Sequence, residues 1–131
     1  MSTIAHVAWV FLGGGIGSAL RYGVGRAALA LVGTGFPAGT LAVNVAGCLL
    51  LGVLAEWLAL RDPGIDASVK LFLTTGLLGG FTTFSAFALD AAALWQRGEG
   101  AVAGLYVLAS VALSIAALFA GMALTRGALA P

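Results

Sequence analysis

Charge is what this sequence has least of. Its 131 residues include six Lys and Arg, five Asp and Glu and one His, so 8% are charged against 61% hydrophobic. An average soluble domain is about a quarter charged. So few charges cannot cover a surface that faces water on all sides, which excludes an ordinary soluble globule and makes the bilayer the solvent. The net charge of +1 leaves no basic patch for nucleic acid. One cysteine, Cys48, excludes an internal disulfide, and its place in an apolar run reads as a small packing residue. One histidine, His6, near the N-terminus, leaves no His/Cys or His/carboxylate spacing for a catalytic metal. The glycines of "GGGIGSALRYGVGR" fail the dinucleotide pattern, because Gly13 and Gly15 are followed by Ser18, and no lysine-bearing phosphate loop follows. No residue pattern here makes the case for an enzyme. "MSTIAHVAWVFLGGG" has no Lys or Arg before its apolar run and no Ala-x-Ala site with suitable flanks. It reads as a first membrane helix, not a cleaved leader.

Long apolar runs are what the sequence has in abundance. About 20 apolar residues cross a bilayer core. Four such runs occupy roughly residues 4–31, 38–60, 67–95 and 101–124, separated by "VGTGFPAG", "RDPGID" and "QRGEG". The predicted fold is an all-α membrane protein, one four-helix domain over residues 1–131, with neighbouring helices antiparallel because every loop is short. Small residues recur four apart: Gly13 and Gly17, Gly14 and Ser18, Gly76 and Gly80, Ala117 and Gly121. Such pairs let helix backbones approach closely.

The third run is interrupted by "GLLGGFTTFSAF" (Gly76–Phe87), midway between Lys70 and Asp90. A helix broken at mid-membrane frees backbone groups that are tolerated only in protein or along a cavity. Freed carbonyls suit a cation and a half-helix N-terminus suits an anion. A kink relieved by Ser and Thr side chains is the equally open reading. Phe81, Phe84 and Phe87 follow at spacings of three; such a stripe packs, or presents positive ring edges to an anion. Thr40 and Asn44 share a face of the second run, and Tyr106, Ser110 and Ser114 repeat every four residues in the fourth, reading as a wet track.

Orientation follows the Lys and Arg count. Arg61, Lys70 and Arg126 fall on one side, with Arg97, Arg26 and, deeper, Arg21 on the other. So even a split fits insertion both ways as an antiparallel pair, or a single topology set by a narrow margin.

Three motifs together resemble the Fluc (CrcB) family of fluoride channels: "GGIGSALRY" (Gly14–Tyr22), "PAGTLAVNVAG" (Pro37–Gly47) and "GLLGGFTTFSAF". The resemblance covers all four runs. It implies a dual-topology antiparallel homodimer in the cell membrane with two oppositely directed pores, passively exporting fluoride trapped in a neutral cytoplasm after entry as HF. It implies that Phe84 and Phe87 are ring-edge fluoride ligands and Asn44 the pore asparagine. Tyr106, Ser110 and Ser114 match the polar track, Thr40 a hydroxyl near the pore, and Arg21 an arginine near a pore entrance. Gly79 and Thr82 match the pair whose backbone carbonyls hold a structural Na+ at the dimer interface. Ala86 stands where Thr is common, and Asp90 where the longer Glu is frequent. The competing readings are a small dual-topology cation or drug exporter, which needs a central membrane acid, and a non-transporting membrane subunit, which needs no polar stripes. Glu56 and Asp90 both lie toward the ends of their runs.

Overall fold

The computed structural model describes residues 1–61 and 64–130. Asp62 and Pro63, in the turn expected at "RDPGID", lie outside the described residues. Four helical spans are long and apolar enough to cross a membrane, and no strand occurs among the described residues.

Helix α1 (Thr3–Val32) starts where the Ser2 hydroxyl accepts the Ala5 N–H at 3.3 Å. It stops at Gly33, whose φ of 82° is a left-handed value that favours glycine. Helix α2 (Ala38–Arg61) follows a short turn through Pro37. The third span is composite. It comprises α3 (Ala67–Leu71), a π-helical stretch (Phe72–Leu78), the single turn α4 (Gly79–Phe81) and, after a break, α5 (Phe84–Gln96). Helix α6 (Gly100–Leu129) closes the fold.

Helix α6 runs past Leu124, where the sequence reading ended it, to Leu129. The added turn is held by side chains. Thr125 Oγ1 donates to the Gly121 carbonyl at 2.9 Å, and Arg126 reaches back to Glu56 on α2, Nε to Oε1 at 2.9 Å and a terminal nitrogen to Oε2 at 3.0 Å. Glu56 is buried, and this two-pronged pairing satisfies its carboxylate. Below the pair, α2 and α6 pack closely along their length. A Cβ on Gly52 would strike the Leu118 carbonyl, and one on Gly121 the Leu49 carbonyl. Backbone meets backbone there, so only glycine fits.

The other close pairing sets α1 on the first half of the third span. A Cβ on Gly13 would strike the Phe72 carbonyl, and one on Gly17 the Leu77 carbonyl. The π-helical stretch lies along this contact and has no counterpart in the sequence reading, which placed a single irregularity at "GGFTT". Its widened turn shows in the Gly79 N–H, which reaches the Thr74 carbonyl five residues back, while Thr74 Oγ1 bonds the Lys70 carbonyl at 2.8 Å. On the far side, Phe87, Leu94, Ala103 and Tyr106 form the buried core that joins α5 to α6.

Candidate functional site

The break is two residues long. Thr82 (φ −83°, ψ 159°) and Thr83 (φ −155°, ψ 125°) are extended, near the middle of the third span. In a continuous helix Thr83 N–H would bond the Gly79 carbonyl, Phe84 N–H that of Gly80, and Ala86 N–H that of Thr82. Instead Thr83 N–H donates to Asn44 Oδ1 at 2.8 Å, and Ala86 N–H to Thr83 Oγ1 at 3.1 Å as the cap of α5. The Gly79 and Thr82 carbonyls thus lose their helical donors. The Gly80 carbonyl finds other partners on α1, accepting from Arg21 Nε at 3.1 Å and from Ser18 Oγ at 3.4 Å.

Asn44 clamps the break from α2. Besides accepting from the Thr83 N–H, its Nδ2 donates to the Thr83 carbonyl at 2.9 Å. The two bonds to one residue's backbone fix which way the amide faces. They leave one Nδ2 hydrogen for a further acceptor. Thr83 relieves the kink through its hydroxyl, and its backbone orients the asparagine.

Beside the clamp lies a cleft of about 490 Å³. Asn44, Phe84, Phe87, Ser110 and Ser114 all line it, as do Gly79, Thr82 and Thr83, and among the described residues no charged one does. Ser110 is 5% exposed, and among the described residues its Oγ makes no hydrogen bond within 3.5 Å; the nearest polar neighbour is the Tyr106 hydroxyl, whose own proton goes to Asp90. Burying a hydroxyl unpaired costs roughly 1–3 kcal/mol. A group held so, on the wall of a cleft, is poised for an acceptor from outside the chain. The rings of Phe84 and Phe87 lie 5.3 Å apart, centroid to centroid. Phe87 is buried against Tyr106, whereas Phe84 is 77% exposed on the open side.

The remaining sequence-predicted residues stand elsewhere. Thr40 lines a second cavity, of about 300 Å³, together with Phe36, Asp90 and Arg97 near the end where α1 meets α2. Tyr106 is fully buried, with its ring against Phe87 and Phe36, and donates from its hydroxyl to Asp90 Oδ2 at 3.1 Å. It links the surroundings of the two cavities without lining either. Arg21 lines neither cavity and engages the Gly80 carbonyl instead. Phe81 packs beside Gly17 and Gly47.

Four cleft residues escaped the sequence reading: Cys48, Thr83 and the apolar Val111 and Ile115. Thr83 was seen only as part of "GGFTT", although a Thr just ahead of a helix is a capping signal. Cys48, read as packing, lines the cleft. It lies one turn beyond Asn44 on the same face of α2, a spacing that offered the clue.

A multi-pass helical membrane protein with an uncharged, hydrogen-bonding cleft at a mid-span break is the class these features define. The sequence pattern of the family described as "CrcB-like protein, Camphor Resistance (CrcB)" matches residues 8–122. The chain is 57% identical over 117 residues to a Rhizobium etli protein named fluoride-specific ion channel FluC, covering 89% of this chain and 93% of the relative. A Paracoccus denitrificans protein of the same name is 58% identical over 118 residues (90% and 92%), and one from Agrobacterium fabrum 52% over 123 residues (92% and 96%). The chain belongs to the CrcB-like family.

Proposed function

We propose that this protein is a fluoride-selective passive channel that lets the ion leave the cytoplasm and so lowers its toxicity. The observation that carries the reading is the buried Ser110 hydroxyl, with no hydrogen bond within 3.5 Å, on a cleft that also presents Asn44, Phe84 and Phe87 and, among the described residues, no charge. The names of the relatives support the same ion.

Fluoride is small and strongly hydrated, so each water it sheds must be replaced. In the cleft the replacements are the Ser110 and Ser114 hydroxyls, the second Nδ2 hydrogen of Asn44, and the positive edges of the Phe84 and Phe87 rings. Such donors bind an anion without holding it as a fixed cation would, and conduction needs release as much as binding. Chloride is larger and makes poorer use of short donors on a narrow wall. Selectivity then comes from a tight, weakly polar lining. An exporter driven by proton exchange would need a free acid at mid-membrane. Against it, Glu56 is engaged by Arg126 and Asp90 by Tyr106, both outside the cleft.

The working unit in this reading is an antiparallel homodimer with dual topology. Its support is the near-even split of Lys and Arg between the two ends, the open side of the cleft and the exposed Phe84 ring. A structural sodium ion fits the same picture. The Gly79 and Thr82 carbonyls are hard oxygen donors without helical partners, and among the described residues no His, Cys, Asp or Glu cluster could hold a metal instead. Hard cations such as calcium gather about six to eight oxygens. Two carbonyls from one chain are a partial set, which a second copy would extend.

The test is fluoride efflux from liposomes, followed with a fluoride electrode, for the parent and Ser110→Ala. The parent should pass fluoride and exclude chloride, and Ser110→Ala should lose about tenfold in flux, the worth of one buried donor. An inert parent would end the reading. Single cysteines at either terminus, on a Cys48→Ala background, should label from both sides of the membrane. One-sided labelling would end the dual-topology model.

A further inference from the structure

Arg21 lies on the membrane-spanning part of α1, yet among the described residues it forms no ion pair. An ionised side chain within a span is costly and calls for a partner. Its partner is a backbone oxygen: Nε donates to the Gly80 carbonyl at 3.1 Å. That carbonyl lost its own donor when the helix broke after Phe81. We propose that Arg21 is a positioning residue that acts through Nε as the C-terminal cap of the first half of the broken span, and not through its charge on a permeating ion.

Three observations lead there. Gly14, Gly17, Ser18 and Arg21 fall at spacings of three and four, so they share one face of α1. The glycines on that face let the broken span approach until a Cβ on Gly80 would meet the Gly14 carbonyl, and one on Gly17 the Leu77 carbonyl. That approach brings the Gly80 oxygen under Ser18 and Arg21 one turn further along. Finally, the carbonyls at the end of a helix carry partial negative charge, which a cation offsets. With Arg21 tied to Gly80 on one side and Asn44 tied to Thr83 on the other, the break is pinned at both edges. Between those pins lies the Thr82 carbonyl, and α5 starts at Phe84, the residue after the second pin. The pins set the direction of that carbonyl and of the Phe84 ring.

The chemistry of the side chains gives a test that separates cap from charge. Gln Nε2 stands the same number of bonds from Cα as Arg Nε, so Arg21→Gln keeps the donor and removes the charge. Arg21→Lys keeps the charge but puts a methylene where Nε was. Arg21→Met keeps length and loses both. Two readouts apply to each folded dimer: fluoride flux in liposomes, which rests on the proposed function, and amide hydrogen exchange over residues 80–86, which does not. As a cap, Arg21→Gln should stay within about threefold of the parent in both. Arg21→Met should lose about tenfold in flux and exchange about tenfold faster, the scale of a lost charge-assisted hydrogen bond. Arg21→Lys should fall nearer Met than Gln. Ser18→Ala, losing only the longer bond, should shift exchange by about twofold. Parent-like Arg21→Lys with a defective Arg21→Gln would overturn the cap in favour of charge. Unaltered exchange in Arg21→Met would overturn it outright. Should the parent carry no fluoride, the functional reading fails while the exchange pattern still decides the cap.

Discussion

The α2–α6 seam and the break in the third span are both places where backbones come unusually close to something, and they are held in opposite ways. In the seam, backbone lies on backbone. Gly52 faces the Leu118 carbonyl and Gly121 the Leu49 carbonyl, with Thr125 and the Glu56–Arg126 pair at one end. At the break, side chains do the holding: Asn44 on Thr83, Arg21 on Gly80, and Thr83 on the first turn of α5. The seam is closed by shape and leaves nothing over. The break is closed by hydrogen bonds and leaves unspent groups, namely the Gly79 and Thr82 carbonyls, one Asn44 hydrogen and the Ser110 hydroxyl. A membrane protein can afford a cleft of polar groups in one layer when the neighbouring layer is locked by contact alone.

Glycine substitution gives the largest expected contrast. Gly52→Val should leave no folded protein by size-exclusion in detergent, because overpacking a close backbone contact costs about 1–3 kcal/mol or more and the carbonyl opposite cannot step aside. Gly79→Val, at the break, should fold, since its Cβ would meet nothing nearer than the Thr74 carbonyl at 3.5 Å within the chain. Its flux and its dependence on sodium are where damage should appear. A folded Gly52→Val would mean that the seam is looser than its geometry.

Next in size is Asn44→Asp. A carboxylate accepts but does not donate, so the bond to the Thr83 carbonyl is lost and a negative charge enters the cleft. Fluoride flux should fall about a hundredfold in protein that still forms dimers, combining a broken hydrogen bond and an unpaired charge. Flux near the parent's would show that the clamp is dispensable.

The ring substitutions should act more mildly and split by burial. Phe84→Ile and Phe87→Ile should each cut flux by about tenfold, and by far more than Phe81→Ile, through loss of a positive ring edge. Only Phe87→Ile should also lower Tm, because Phe87 is 7% exposed and Phe84 77%. Two parent-like fluxes would remove the ring-edge mechanism.

The smallest effect belongs to Asp66, at the mouth of α3. The Ser68 N–H, 2.7 Å from its carboxylate, holds that carboxyl below the ordinary aspartate range. A depressed folded pKa contributes stability above the unfolded value, and that contribution is lost as pH falls through the folded one. Thermal melts of the parent should therefore weaken as pH drops below about 4, the ordinary aspartate value. Asp66→Asn, which still caps, should lack that part of the decline. Identical pH profiles would show that the cap carries no charge-dependent share.

Much of this was legible in the residues. Four apolar runs with almost no charge permit little but a bundle of spans, because the bilayer core admits only backbones that satisfy themselves. The position of the break was readable from "GGFTT", and the shared faces of Thr40 with Asn44 and of Ser110 with Ser114 from their spacing alone. Period and hydropathy are local properties, and they were enough for these. What they could not assign was the partner of each polar group. That Asn44 spends itself on Thr83, that Arg21 turns to Gly80 and not to a cavity, that Glu56 is neutralised by Arg126, and that Thr40 and Ser110 open on different cavities are facts about neighbours far apart in the chain. The π-helical turn belongs with them, since it follows the course of α1. The sequence by itself determined the spans and the break, through burial and glycine. The tertiary structure alone decided which hydrogen-bonding groups are used up in holding the break and which remain facing the cleft, because that depends on which donor reaches which acceptor first when four helices pack.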